Sequence, residues 1–271
     1  MLRFFILILS SAMMSFAVLA ADKTSLFQHE GVARDAGRYE AWLQKAYKRT
    51  PRNTTTRKLF FEGRRIMNGG QDPRGAARNF ARVVTIEANH ARGWLLLAQS
   101  LLTIPKDQQK GSENYSIPVN ASGAAYLAYQ RATREQTKAA ALSILAQALV
   151  RRSYWRPALD AYKKSLQLDD TPKVRQAYQQ LRAERGFRIT NYRVENETTS
   201  PRLCIEFSET LKDGEIDFAK YISVNGKDPE NVNAEGQNLC IDGFKHGRRF
   251  EVDVRAGLPA RIDDQLHKNA Q

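Results

Sequence analysis

The sequence predicts an α+β protein in two domains, an α-helical solenoid followed by a small antiparallel β-sandwich that is incomplete. Three observations carry this reading. A helix-pair pattern, with a small residue followed four positions later by a large aromatic, recurs from about Arg57 to Tyr162. At Gly186 the hydrophobic period changes from helical to two. The charge divides at the same place: residues 1–186 carry a net +16 and residues 187–271 a net −3, together the +13 of the whole chain.

The first residues read as an address. Met1-Leu2-Arg3 is a short cationic start, and residues 4–18 are an apolar run broken only by small polar residues. Val18 and Ala20 then stand at the −3 and −1 positions of a cleavage site after Ala20. Residues 1–20 are therefore expected to be a secretory signal, with a single N-terminal anchor as the alternative, and no cysteine follows the cut to carry a lipid. Export to the periplasm or beyond removes nucleic acid as the partner of the basic half. It leaves a protein partner or an anionic membrane surface, in a compartment that favours disulfides.

Residues 22–186 form the expected helical domain. In residues 35–48, Tyr39, Trp42, Leu43, Ala46 and Tyr47 fall at helical spacing, which predicts a first helix covering the end of the array. The repeat then runs through Ala76/Phe80, Ala125/Tyr129 and Ala158/Tyr162. Trp94, Leu97, Ala98 and Leu101 form the helix before the second of these pairs, and Leu142, Leu145, Ala146 and Leu149 the helix before the third. The small residue lets two backbones approach and the large one fills the groove beside it. Such pairs, about 34 residues long, resemble tetratricopeptide repeats. Leu142 to Tyr162 spans 20 residues, the spacing of that family, and Leu59 to Phe80 spans 21. Trp94 to Tyr129 spans 35, and the surplus maps to residues 105–120, rich in Pro, Gly, Ser and Asn and expected to be a loop. Val174, Ala177, Tyr178 and Leu181 make residues 173–185 a capping helix. An irregular helical bundle is the alternative.

Residues 187–271 form the expected sandwich. Strands are predicted at residues 187–194, 203–208, 218–224, 239–241 and 250–254, with Asn225-Gly226 as a turn. Cys204 and Cys240, the only cysteines, lie in two of these strands, each on the face opposite its apolar neighbours. They are expected to form a disulfide across the strands, two free thiols being the alternative. No catalytic, cofactor-binding or metal-ligating constellation emerges. The four histidines are scattered, and residues 70–75 lack the Lys and Ser/Thr of a phosphate loop, so they read as a turn into a helix. Tyr154 and Trp155 beside Pro157 read as packing. Four Asn-x-Ser/Thr triplets, at Asn53, Asn114, Asn120 and Asn196, carry weight only in a eukaryotic source.

Residues 155–259 resemble the N-terminal region of large bacterial alpha-2-macroglobulin-like proteins. The resemblance rests on WRPALDAY at 155–162, LRAERGF at 181–187, SPRLCIEFS at 200–208, Asp217-Phe218, Leu239-Cys240, residues 243–247 and RAGLP at 255–259. It implies the leading part of a periplasmic protease inhibitor that is not itself an enzyme. In that family a protease cuts a bait segment and a thioester in a Cys-x-Glu-Gln motif tethers it. Here the cysteines are followed by Ile205-Glu206-Phe207 and Ile241-Asp242-Gly243, so the trapping chemistry does not carry over. The resemblance also implies a strand after Pro259, and residues 261–271 show no alternation to supply it, which predicts an exposed sheet edge. An independent adaptor, binding a peptide or envelope protein in its helical groove, is the alternative function.

Overall fold

A computed structural model describes residues 27–48, 54–197, 199–262 and 264–271; the expected signal sequence and its cleavage site lie outside the described residues. The described chain is α+β, with eight α-helices followed by a region of short antiparallel strands. The helices are α1 (Glu30–Ala46), α2 (Thr56–Gly69), α3 (Pro73–Ile86), α4 (Ala91–Leu102), α5 (Glu113–Arg131), α6 (Glu135–Arg151), α7 (Trp155–Leu168) and α8 (Pro172–Arg185).

Local chemistry fixes many of their ends. Thr55 caps α2 by accepting from the Lys58 N–H, and Asp72 caps α3 by accepting from the Gly75 N–H, with Pro73 in the first turn. Residues 70–75 are thus a turn into a helix, as their sequence implies. His29 and His90 do the same for α1 and α4 through Nδ1, so two of the four histidines are explained as caps.

Each helix from α3 to α8 packs on the one before it, and α1 lies chiefly against α5. That placement corrects the expectation of a cover at the end of the array. The α1–α5 approach is close because position 123 is glycine: a Cβ there would come within 3.0 Å of the Ala36 backbone. Two ion pairs hold α1 in place. Arg131 reaches Glu40 at 2.8 Å, and the largely buried Arg152 reaches Asp35 at 2.7 Å while also donating to Ser122 Oγ. Tyr39 and Leu43 face the core, whereas Trp42 stands out in solvent.

The expected loop at residues 105–120 is also corrected. Helix α5 begins at Glu113 and runs through Pro118, so the irregular connection is shorter and contains a single 3-10 turn, Lys106–Gln108. Pro118 costs the helix one N–H donor, but Ile117 and Ala121 beside it are buried, and their packing holds the segment helical.

The strands are β1 (Ile189–Glu195), β2 (Arg202–Phe207), β3 (Ile222–Val224), β4 (Val232–Glu235), β5 (Asn238–Ile241) and β6 (Val252–Val254). Four form one sheet in the order β1-β2-β5-β4, and β3 pairs with β6 in a second sheet of two. Two expectations change. Residues 218–221 form a 3-10 turn rather than the start of a strand: Phe218 and Ile222 are buried, but Lys220, which a strand would place on the same face, is exposed. Strand β4 was not expected from the sequence, having only Val232 and Ala234 to mark it. The Asn225-Gly226 turn forms as expected, with both residues at positive φ and Val224 and Lys227 exchanging backbone hydrogen bonds across it.

The helices and strands enclose separate hydrophobic cores, one reaching to Leu181 and the other beginning at Phe187. The last residues are not idle. Leu258, Ala260 and Leu266 are buried in the second core, and Ala270 exchanges two backbone hydrogen bonds with Val254. They form isolated bridges rather than a strand.

Candidate functional site

The residues singled out for helix packing lie in one buried cluster. Phe80 on α3, Trp94, Leu97 and Ala98 on α4, Tyr129 on α5, Leu145 and Ala146 on α6, and Ala158 and Tyr162 on α7 all lie in the helical core. Phe80 meets Phe60 of α2 edge to face, with ring centroids 5.9 Å apart. The Tyr129 hydroxyl accepts from the Phe27 N–H, and burial pushes the Tyr162 hydroxyl up to about 12. These residues hold helices together and present no reactive group. Trp155 packs against the same core, whereas Tyr154 is exposed; the Arg152 guanidinium lies over the Tyr154 ring and that of Arg185 over the Trp155 ring.

Cys204 and Cys240 stand directly opposite each other in the β2–β5 ladder and are joined by a disulfide, their Cα atoms 4.0 Å apart. Among the described residues no cluster of His, Cys, Asp and Glu could hold a metal ion, and no helix is long and apolar enough to cross a membrane.

Two features that sequence reasoning did not single out define how the β region could work. The first is the joint between the two cores. Asp264 receives the Arg156 guanidinium of α7 at 2.9 Å and that of Arg182 of α8 at 3.2 Å. It also accepts the backbone N–H groups of Phe187 and Gln265. Arg156 reaches on to Glu209 at 2.8 Å, and Arg182 to the Gln265 carbonyl. Gly186 permits this tight exit from α8, since a Cβ there would fall 2.4 Å from the Arg182 carbonyl oxygen. Burial alone would raise the Asp264 carboxyl, but the Phe187 and Gln265 amides and the two guanidinium groups hold it below the usual carboxylate range.

A lowered folded-state pKa means that the Asp264 contribution is fully present above the ordinary Asp value of about 3.9 and is lost as pH falls through the folded value. Asp264→Asn is therefore expected to cost about 2–3 kcal/mol at neutral pH. That is less than the 3–5 of a fully buried pair because Arg156 is about one-third exposed. The difference from the native chain is expected to shrink below about pH 4. Urea unfolding at both pH values checks this; equal stability at neutral pH would remove Asp264 from the joint.

The second feature is a groove of about 640 Å³ between the two sheets. Tyr192 and Val194 of β1, with Leu203 of β2, form one wall, and Phe244, Phe250 and Val252 form the other. The two aromatic rings of the second wall meet edge to face at 4.9 Å. Lys245 and Arg248 stand on its rim. The groove exists because the sheets are unequal. Ile205, Leu239 and Ile241 are buried with Ile222 and Val254 of the smaller sheet, while Tyr192 and Val194 are 69% and 57% exposed. A second, shallower groove of about 370 Å³ on the helices includes Tyr39, Trp42, Tyr47 and Ile104.

Compared with protein-family models and with curated proteins, the chain matches none.

Proposed function

We propose that this chain is the non-enzymatic N-terminal part of a periplasmic alpha-2-macroglobulin-like protease inhibitor and works through protein–protein contacts. In this reading α2 to α7 are three degenerate tetratricopeptide-like helix pairs, α8 is their cap, and the two unequal sheets belong to a macroglobulin-type sandwich. The motifs at residues 155–259 support the family. The observation that carries the contact role is the apolar groove along β1, set on a unit tied to the helices by Asp264. An apolar concave surface of this size beside a sheet edge is a place for polypeptide.

The alternative, an independent adaptor, is favoured by the helical groove with its exposed Trp42. Isolation from the native envelope without denaturation separates the two. The inhibitor reading expects co-purification with further sandwich domains and a Cys-x-Glu-Gln thioester. A stable partner of another architecture, released by Trp42→Ala, would replace it with the adaptor.

A further inference from the structure

The backbone of β1 has one side left over. Phe207 donates to Gln237, so the ladder turns the N–H and C=O groups of Leu203, Ile205 and Phe207 toward β5. Those of Arg202, Cys204 and Glu206 then face β1, where their partners are Glu195, Arg193 and Asn191. By alternation the amides and carbonyls of Tyr192 and Val194 point away from the sheet, at its open edge. The same two residues carry the exposed apolar side chains of the groove wall. No proline or lysine guards the strand, whose sequence is ITNYRVE, and its one bulge lies at Ile189/Asn191, before Tyr192.

We propose that the protein forms a symmetric dimer by pairing β1 antiparallel with β1 of a second copy, about a two-fold axis through Val194. Charge selects this register. The outward-facing groups of one strand must meet those of the other, which beyond the bulge leaves axes at Tyr192, Arg193, Val194 or Glu195, and the last sets Glu195 opposite Glu195, which is unfavourable. An axis at Arg193 sets two guanidinium groups directly opposite each other, which is unfavourable. An axis at Tyr192 sets Arg193 opposite Asn191, without an ion pair. The axis at Val194 places each Arg193 opposite the Glu195 of the other copy, so two favourable pairs form on the outer face. Within one chain Glu195 already holds Arg193 at 3.0 Å and also Arg202, and across the axis the same groups meet again. On the inner face Val194 meets Val194 and Tyr192 meets Asn196, which carries the apolar wall from one groove to the other.

The charge of the whole chain agrees with this choice. Residues 187–271 carry −3, whereas the helical half is strongly basic. Pairing through β1 joins the two copies by the half of the chain with the smaller net charge. The dimer does not depend on the inhibitor reading, and either can fail without the other.

Sedimentation velocity over a dilution series of the oxidised, signal-free chain tests the proposal. The expected result is a shift from monomer to twice the monomer mass with rising concentration. Val194→Pro removes the central N–H but no bond of the β1–β2 ladder, because that N–H points outward. It is expected to stay monomeric throughout with its circular dichroism unchanged. Arg193→Glu is expected to raise the dissociation constant about tenfold by setting like charges opposite each other. Val194→Cys is expected to cross-link to itself under mild oxidation, a readout that needs no folded proline variant. A native chain that is monomeric at every concentration, or a dimer that survives Val194→Pro and gives no cross-link at position 194, would overturn the proposal.

Discussion

Replacing Trp94 with alanine is expected to lower the stability of the helical array by about 3–5 kcal/mol, the range for removing a large aromatic from a core. Trp94 is fully buried, so removing its indole ring leaves a cavity that the surroundings close only in part. Its indole N–H donates to the Ala88 carbonyl at 2.8 Å, and that acceptor loses its partner. The Arg131 guanidinium lies 5.2 Å from the ring centroid and is held there by Glu40 of α1. The substitution therefore loosens three helices at once. Trp94→Phe keeps most of the volume and loses the donor, so a smaller cost is expected, about 1–3 kcal/mol. Urea unfolding followed by far-ultraviolet circular dichroism separates the three proteins in that order; a Trp94→Ala cost below about 1 kcal/mol would show that the site collapses without penalty.

Removing the disulfide is expected to be nearly as damaging and to act on the other core. Cys204 and Cys240 are 36 positions apart, and closing a loop of that length is worth roughly 3–4 kcal/mol in the chain-entropy description. Cys204→Ala with Cys240→Ala is expected to destabilise residues 187–271 by that amount while the helices keep their own transition, since the two cores are distinct. Two probes follow the two parts: helical circular dichroism, and proteolysis at sites beyond Gly186. Loss of both parts at one midpoint would mean that the Asp264 joint couples them into a single unit.

Much of the helical half was legible in sequence because its signal is redundant. Ala76/Phe80, Ala125/Tyr129 and Ala158/Tyr162 fall on α3, α5 and α7, and every one of those residues is buried. The error at residues 105–120 came from weighing Pro118 and the glycine and asparagine content above burial, which tertiary packing overrode. Short strands were harder. Val232 and Ala234 are too few to reveal alternation, and Phe218 and Ile222 suggested a strand although Lys220 between them interrupts the apolar face. The groove was hidden for a different reason. Tyr192 and Val194 alternate with Arg193 as any half-buried strand would, and only the width of the opposing sheet decides whether they are covered. Asp264 was hidden because its partners lie 108 and 82 positions away in sequence.

The most direct test of β1 as a contact edge is amide hydrogen exchange, residue by residue, at low and high protein concentration. Arg193 and Glu195 point into the β1–β2 ladder, so their protection is expected to be independent of concentration. Tyr192 and Val194 point to the open edge, and their exchange is expected to slow as the second copy binds. The contradicting result is equally plain: fast exchange at Tyr192 and Val194 at every concentration, with Arg193 and Glu195 protected throughout, would leave β1 an unpaired edge.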